Sequence, residues 1–265
     1  MPQLLLGFLF ALIIAFLAYR ARSLSRSGAY AAILVGTLIF GLGGWQWAII
    51  LLTFFVSSSA LTRLFGKRKA ALNEEFEKGG QRDAAQVLAN GAVASLFAGL
   101  HFFFPAAAWP WLAFSASMAA VNADTWATEL GVLNPVPPRL ITNGKSVDRG
   151  TSGAISFYGT FSVLTGAALI AILAIVLNPY NHSSLITYYF LLVTLAGITG
   201  ALFDSLLGAT VQAIYRCPRC DKETERHPVH TCETETVQIR GWKWLNNDMV
   251  NLACATAGAM IALLL

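Results

Sequence analysis

The chain has 265 residues, of which 56% are apolar and only 12% are charged, and its formal net charge is +4. A soluble domain would carry about twice that charged fraction, so the composition excludes an ordinary soluble globular protein. The apolar residues form long continuous runs instead of alternating with polar residues. This pattern argues against a transmembrane β-barrel and predicts an all-α polytopic membrane protein.

Eight apolar segments predict about eight transmembrane helices. They cover residues 3–19, 29–42, 45–61, 86–104, 109–129, 154–177, 185–212 and 247–265. The first segment is not expected to be a cleavable signal peptide, because its arginines Arg20, Arg22 and Arg26 follow the apolar run instead of preceding it. The second and third segments are short and are separated by GLGG at residues 41–44. They form either two spans or one re-entrant hairpin.

The distribution of basic residues predicts the topology. All 18 Lys and Arg residues fall in four places, namely residues 20–26, 63–82, 139–149 and 216–243. With eight spans, these connections lie on one side of the membrane, and the positive-inside rule makes that side cytoplasmic. Both termini are then predicted outside. We expect one transmembrane domain over 1–265 in the cell inner membrane or an equivalent membrane, with a basic amphipathic loop at 62–85 and a Cys/His loop at 213–243.

Four acidic residues lie within or at the rims of apolar segments: Asp124, Glu129, Asp204 and Asp248. A carboxylate at the bilayer centre costs about 2.5–3.5 kcal/mol on insertion scales, so such residues usually face a cavity or a partner. Spans five and seven run inward and span eight begins inside. The four carboxylates are therefore expected in one layer near the cytoplasmic side.

Amide and hydroxyl side chains accompany these carboxylates and are predicted to contact the substrate: Asn122, Thr125, Ser205, Asn247 and Asn251. Helical spacing places Asn122, Thr125 and Glu129 on one face of span five, with Asp124 on another. Carboxylate and amide oxygens are ligands that suit Mg²⁺. The three aspartates are therefore predicted to hold Mg²⁺, and Glu129 is predicted to be a further metal ligand or an orienting group.

The connection between spans five and six supplies the opposite charge. It carries Arg139, Lys145 and Arg149 and ends in GTSG, which is expected to open span six. A turn rich in Gly, Ser and Thr at a helix N-terminus presents backbone N–H groups to an anion, and Lys and Arg add charged donors. Phosphate binding is therefore predicted for Arg139, Lys145, Arg149, Gly150, Thr151, Ser152 and Gly153, with Lys145 and Arg149 on the transferring phosphate. The segment is not a Walker A motif, and an ordinary helix cap with positive-inside charges is the alternative interpretation.

Three of the four cysteines lie in CPRCDKETERHPVHTC, a segment that also contains His227 and His230. The spacing is typical of a structural zinc site, and the predicted cytoplasmic location disfavours a disulfide. The predicted ligands are Cys217, Cys220, Cys232 and one histidine, with His230 favoured. A metal-free loop and a redox-active CxxC are the alternatives. The fourth cysteine, Cys254, is interpreted as a small apolar residue of span eight.

Five motif blocks resemble those of one family of integral membrane proteins: NADTWATELGVL, PRLITNGKSVDRGTSGAIS, DSLLGATVQAIYRCPRC, TERHPVHTC and WLNNDMVN. This family includes plant and cyanobacterial phytyl-phosphate kinase and the animal transmembrane protein nineteen. The resemblance runs from about residue 28 to the end of the chain. It implies an integral membrane enzyme that phosphorylates an isoprenyl monophosphate to the diphosphate, with a nucleoside triphosphate as donor, CTP in the best-known branch.

The sequence thus predicts a Mg²⁺-dependent prenyl-phosphate kinase whose active site faces the cytoplasm. CTP and ATP both stay open as the donor. The expected partners are an isoprenyl phosphate lipid, a nucleoside triphosphate and the membrane, and no nucleic acid. The alternatives are a CTP-dependent cytidylyltransferase that makes a CDP-lipid, and an ion- or phosphate-coupled transporter. The sequence shows no internal repeat of the kind common in transporters.

Overall fold

A computed structural model of the chain describes residues 2–69, 80–180 and 185–265. Within these ranges the helices are α1 Pro2–Arg20, α2 Arg26–Leu38, α3 Trp45–Lys69, α4 Ala84–Phe103, α5 Trp109–Gly131, α6 Phe157–Val176, α7 Ile186–Thr210 and α8 Asn247–Leu264. The strands are β1 Arg139–Leu140, β2 Ala154–Ile155, β3 Ile214–Cys217, β4 Lys222–Thr224 and β5 Val237–Arg240. The prediction of a helical, polytopic membrane protein is confirmed, and the short strands lie in the connections.

The helix α5 is the centre of the bundle. Seven of the helices in the described part of the chain are long and apolar enough to cross a membrane, and α5 is not among them. It is surrounded instead by α3, α4, α6, α7 and α8, and every residue from Pro110 to Ala123 is buried. Because its neighbours shield it from lipid, α5 can carry Asp124 and Glu129 at the end that follows this buried stretch.

Small residues let the helices around α5 approach it closely. At Gly200 of α7, an added Cβ would lie 2.5 Å from the Cβ of Ala120 on α5. At Gly258 of α8, the corresponding distance to Ala120 is 2.8 Å. Glycine and alanine are favoured at such membrane interfaces because van der Waals packing replaces the hydrophobic effect as the main source of helix association. The close approach sets how the last turns of α5 and α7 face each other.

The four connections with all the basic residues meet at one end of the bundle. The backbone N–H of Arg82, before α4, donates to the carbonyl of Ser23, before α2, at 3.0 Å. Arg149 and Glu225, from the α5–α6 and α7–α8 connections, line the same cavity as Arg82. The predicted loop at 62–85 is shorter than expected because α3 continues to Lys69, and residues 70–79 of it lie outside the described ranges. The assignment of this end to the cytoplasm stays a prediction from charge bias.

The chain termini meet the remaining connections at the opposite end. Gln3 donates to the carbonyl of Phe40 at 3.2 Å, and Tyr188, near the start of α7, donates to the carbonyl of Leu265 at 2.6 Å. The residues between α2 and α3 form a π-helical turn, Ile39–Gly43, followed by Gly44 with φ +99°. The two short apolar segments are therefore two helices that join at this end, and each is long and apolar enough to cross a membrane.

Each helix that begins at the basic end has a polar N-cap residue. Ser25, Asp83, Ser156 and Asn246 accept hydrogen bonds from the backbone N–H groups three residues later, as expected for N-caps. The prediction that GTSG at 150–153 opens span six is wrong. Residues 154–155 form β2, which pairs antiparallel with β1, and α6 begins only at Phe157.

Candidate active site

A polar cavity of about 500 Å³ lies at the basic end of the bundle, among the ends of α4 to α8 and the α5–α6 connection. Its size is in the range of small-molecule sites. Its polar and charged lining includes Thr62, Arg82, Gln86, Asn90, Asp124, Thr125, Thr128, Glu129, Arg149, Thr151, Ser152, Thr160, Asp204, Ser205, Glu225, Asn247 and Asn251. Most of the residues predicted from separate apolar segments thus lie around one space.

Three carboxylates converge in this cavity. Asp204 of α7 interacts electrostatically with Asp124 of α5 and with Glu225, which directly follows β4. The Oδ2 atom of Asp204 is buried and has no hydrogen-bond partner among the described residues. Like charges in a poorly solvated site repel each other unless a cation or a proton compensates them. The group therefore fits a hard divalent cation with oxygen ligands.

Glu129 lines the same cavity as Asp124 but has other neighbours. Asp124 interacts with Asp204, whereas Glu129 lies beside Thr62 and Arg82. Its Oε1 accepts a hydrogen bond from Thr62 of α3 at 3.0 Å. Burial lowers the pKa of Arg82 to about 10, and the nearby negative charge of Glu129 opposes this shift. Arg82 therefore stays protonated at neutral pH and attracts the Glu129 carboxylate. This contact supports the orienting role predicted for Glu129.

Asn122 lies outside the described lining of the cavity and holds helices together. It is fully buried, and its Nδ2 donates to the carbonyl of Gly166 on α6 at 2.8 Å. Its Oδ1 accepts from Ser57 of α3 at 3.3 Å. The same Ser57 hydroxyl accepts from the indole N–H of Trp126 at 3.2 Å. These contacts use both ends of the Asn122 amide and tie α5 to α3 and α6, so the structure does not place Asn122 beside the other predicted substrate contacts.

The GTSG segment lines the cavity because it docks onto the end of α7. Gly153 has φ +79°, and a Cβ there would collide with the backbone of Ala209. Across this contact, Gly208 leaves space for the Ser152 side chain. Ser152 donates to Gln212 at 2.7 Å, and Gln212 in turn donates to Glu225 at 2.8 Å. A buried glutamine thus links the GTSG segment to a carboxylate of the cavity.

The basic residues of this connection separate into two groups. Arg149 lines the cavity, and its Nη2 donates to the carbonyls of Asn134 and Pro135, both at 2.9 Å. Lys145 and Arg139 are exposed and are not in the described lining of the cavity. Arg139 donates instead to the carbonyl of Gly144 within its own loop. Of the three predicted cations, the structure places only Arg149 at the site.

The first turn of α8 contributes amides and not its carboxylate. Asn247 and Asn251 line the cavity, one helical turn apart. Asp248 is buried in the same turn and is absent from the described lining. The structure therefore brings together Asp124 and Asp204 of the three predicted magnesium ligands, and it brings the two asparagines beside them.

Sequence reasoning missed several lining residues. Gln86 and Asn90 form an i, i+4 polar pair on the otherwise apolar helix α4, and this signal was visible in the sequence. Arg82 was counted only as one of many loop cations. Glu225 has no local signal, because it reaches the cavity through the path of the Cys/His loop.

The Cys/His loop forms a compact cluster on a small sheet in which β3 pairs with β4 and β5. The ligand atoms of Cys217, Cys220, His230 and Cys232 all lie within 4.8 Å of one another. The distances are 3.4 Å between the sulfurs of Cys217 and Cys232 and 3.2 Å between His230 Nδ1 and Cys232 Sγ. Three thiols and one imidazole could hold a metal ion, and they are ligands that zinc prefers. His227 stacks instead on the ring of Tyr215, with centroids 4.4 Å apart, so His230 is the histidine that the structure places in the cluster.

The thiols of this cluster differ in acidity. Hydrogen bonding with Thr234 and then with His230 lowers the pKa of Cys232 to about 5. Hydrogen bonding to Cys232, together with burial and the contact with Cys217, raises the pKa of Cys220 to about 11. Thiolate is the form that binds metal, so Cys232 is already ionised at neutral pH.

The loop is attached to the membrane part through Arg240, the last residue of β5. Its guanidinium donates to the carbonyls of Ala209 and Gly208, both at 2.9 Å. These carbonyls end α7 and lack helical partners. The attachment fixes the sheet to the end of α7, and Glu225 of the same loop lines the cavity.

Comparisons with known proteins match nearly the whole chain. The family described as "Integral membrane protein DUF92" matches residues 9–259. Protein PGR of Arabidopsis thaliana is 32% identical over 231 residues, which are 79% of this chain and 79% of that protein. An uncharacterized membrane protein of Methanocaldococcus jannaschii is 30% identical over 264 residues, 99% of this chain and 94% of that protein. Protein VTE6, chloroplastic, of A. thaliana is 28% identical over 246 residues, 91% of this chain and 65% of that protein. No solved structure matches.

Proposed function

Because the chain belongs to the DUF92 family of integral membrane proteins, we propose that it is a membrane-embedded prenyl-phosphate kinase. In this proposal it transfers a phosphoryl group from CTP or ATP to an isoprenyl monophosphate and releases the diphosphate at the cytoplasmic side. The family match and the similarity to Protein VTE6 confirm the family resemblance of the motif blocks. The substrate class comes from that resemblance.

The presence of carboxylates and guanidinium groups in one cavity supports this proposal most directly. Asp124, Asp204 and Glu225 form an acidic cluster, and Arg82 and Arg149 line the same space. Phosphoryl transfer needs little covalent chemistry from the protein and depends on positioning and on neutralising charge. A cavity that combines carboxylates able to bind a cation with guanidinium groups able to bind phosphate meets these needs.

The acidic cluster would hold Mg²⁺ through Asp124 and Asp204, with Asn247 and Asn251 beside them. The buried Oδ2 of Asp204 without a described partner and the hard oxygen donors fit this ion. When bound, Mg²⁺ would neutralise the charge on the phosphates of the donor. Asp248 does not line the cavity and is left out of this ligand set.

The basic residues and the GTSG segment would bind the phosphates. Arg149 and the backbone of Thr151–Gly153 would bind the phosphates of the nucleotide, since they line the same cavity as the α5 carboxylates. An oxygen of the acceptor monophosphate attacks the terminal phosphorus of the donor. The bond from that phosphorus to the bridging oxygen breaks, and the nucleoside diphosphate leaves. A phosphate monoester is largely ionised at neutral pH, so the acceptor needs no general base.

The proposal is tested with purified protein in nanodiscs, Mg²⁺, γ-labelled CTP or ATP, and a panel of prenyl monophosphates. We expect the label in the prenyl diphosphate and release of CDP or ADP, identified by liquid chromatography and mass spectrometry. Asp204→Asn is the inactive control, and Asp221→Asn is the matched substitution at an exposed aspartate outside the described lining of the cavity.

Two outcomes would contradict the proposal. Release of pyrophosphate with a CMP group on the lipid would instead identify a cytidylyltransferase. Absence of labelled diphosphate with every donor and acceptor pair, in protein that remains folded, would exclude the kinase.

A further inference from the structure

A second cavity, of about 270 Å³, lies beside the polar one and is almost entirely apolar. We call it the apolar chamber. It is lined by residues of α1, α2, the π-helical turn, α3 and the start of α4, together with Leu24 and Arg82 from the connections. Among the described residues that line it, the polar side chains besides the indole of Trp45 are Arg82 and Asn90. Both of these residues also line the polar cavity, so the two spaces adjoin at this pair.

The chamber is elongated along the helices. Its lining on α3 runs from Trp45 to Phe55, which corresponds to about 15 Å at the rise of an α-helix. This length is about half of the ~30 Å hydrocarbon core of a bilayer. Its Trp45 end lies near the π-helical turn, and its other end lies at Arg82. The shape suits one hydrocarbon chain that extends away from the polar cavity.

Arg82 marks the boundary between the two spaces. Its guanidinium carbon lies 5.4 and 5.5 Å from the ring centres of Phe54 and Phe55, two residues of the chamber wall. On the polar side it attracts Glu129 and lies 3.4 Å from the hydroxyl of Ser59. Its backbone is fixed by the hydrogen bond to Ser23. A buried guanidinium held against aromatic rings at a cavity mouth is suited to an anionic head group.

We propose that the apolar chamber binds the hydrocarbon tail of the lipid monophosphate, and that Arg82 binds its phosphate where the tail meets the polar cavity. The identity of the acceptor as a prenyl phosphate rests on the proposed function. The choice of an anionic amphipathic ligand rests on the continuity of the two cavities and on the charge of Arg82. A neutral membrane lipid has no anionic head group that could pair with the Arg82 guanidinium.

The test is photo-crosslinking with a prenyl monophosphate that carries a diazirine at the end of its tail. The variant Ala48→Phe places a large side chain in the chamber, since Ala48 of α3 lines it. The matched control is Ala60→Phe on the same helix, because Ala60 is exposed and lines none of the described cavities. A neutral prenyl alcohol with the same diazirine serves as the second probe. Crosslinked residues are mapped by mass spectrometry, and Kd is measured by competition with unlabelled prenyl monophosphate.

We expect the phosphate probe to label residues of α1 to α3 that line the chamber, and to be displaced by the unlabelled monophosphate. Overpacking should raise the Kd about tenfold in Ala48→Phe, and Ala60→Phe should match the wild type. Arg82→Gln should weaken binding of the phosphate probe and leave the labelling by the neutral probe unchanged.

Equal labelling by both probes without competition would mean that bulk lipid fills the chamber and would overturn the inference, as would an unchanged Kd in Ala48→Phe. The outcome is independent of catalysis. If the chamber is labelled competitively in a protein that forms no diphosphate, the lipid-binding proposal stands and the proposed kinase activity is refuted. If diphosphate forms but the probe labels other residues, the kinase activity stands and lipid binding in the apolar chamber is refuted.

Discussion

The polar cavity and the Cys/His cluster are two candidate metal sites of opposite character. In the cluster, four soft ligand atoms lie within 4.8 Å of one another, a number that completes a tetrahedral zinc shell. In the cavity, hard oxygen donors from several helices surround about 500 Å³ of space. A closed shell has no place for a substrate, whereas an open one does. The contrast supports a structural role for the cluster and is consistent with the catalytic role proposed for the cavity.

The two regions are joined by a few side chains. Gln212 links Ser152 to Glu225, and Arg240 ties the sheet to the end of α7. One route by which the cluster can affect the cavity is therefore the position of Glu225. Variants in each region and in the link should separate the two roles.

The largest effect is expected for Asp204→Asn in the cavity. The substitution keeps the shape of the side chain and removes its charge from the acidic cluster. Loss of a metal ligand costs several kcal/mol of transition-state stabilisation, so kcat should fall about 1,000-fold. Steady-state turnover measures this, and size-exclusion chromatography shows that the variant is folded. Normal turnover would rule out metal binding at Asp204.

A smaller loss of activity is expected for Arg149→Ala, which removes from the cavity a guanidinium group that would donate hydrogen bonds to a phosphate. Such hydrogen bonds contribute about 1.5–3 kcal/mol, which predicts a fall in kcat/KM of about 10- to 100-fold. Lys145→Ala in the same loop is the control and should stay within about twofold, because Lys145 is exposed and outside the described lining. If the two variants lose activity equally, the loop must move to bring Lys145 to the substrate.

The link between the regions is tested by Gln212→Leu. The variant removes hydrogen bonds from Ser152 and Glu225 inside the protein, which should lower the free energy of unfolding by about 1–3 kcal/mol. Turnover should fall about tenfold because Glu225 and the GTSG segment lose their common support. Thermal unfolding and kcat are measured together with zinc content, which should not change. Unaltered kcat would show that the link has no role in the reaction.

The smallest effect on turnover is expected for Cys217→Ser in the cluster. Zinc content, measured by mass spectrometry of the metal, should fall to background and thermal stability should drop, because metal binding energy contributes to folding. The kcat of the fraction that remains folded should stay within about twofold. Cys254→Ala, a buried cysteine of α8 outside the cluster, should keep its zinc. An unchanged zinc content in Cys217→Ser would show that the ligand set is wrong.

Local patterns were sufficient to predict the class of the protein. Continuous apolar runs predicted the helices, and the clustering of basic residues correctly predicted which connections meet at one end. The CxxC pair with a downstream His and Cys predicted the metal-ligand cluster. These features depend on residues close in the chain, where hydropathy and ligand spacing act directly.

Helical periodicity predicted which residues share a face but not what each face meets. Asp124 and Glu129 are about 140° apart on an ideal helix, yet both line the cavity because it surrounds the end of the central helix α5. Asn122 shares a face with Glu129, but it lies outside the described lining of the cavity and forms hydrogen bonds with Ser57 and the carbonyl of Gly166. Rotation of a helix relative to its neighbours is decided by packing between distant segments.

The sequence by itself determined a polytopic helical membrane protein with carboxylates, cations and a metal-ligand loop at one end. Only the tertiary structure decided that Arg82 and Glu225 belong to the cavity and that Lys145 and Asp248 lie outside its described lining. The physical reason is that contacts between distant residues set the paths of the connections. Gly153 against Ala209 and Arg240 on the last carbonyls of α7 are such contacts, and no local sequence pattern encodes them.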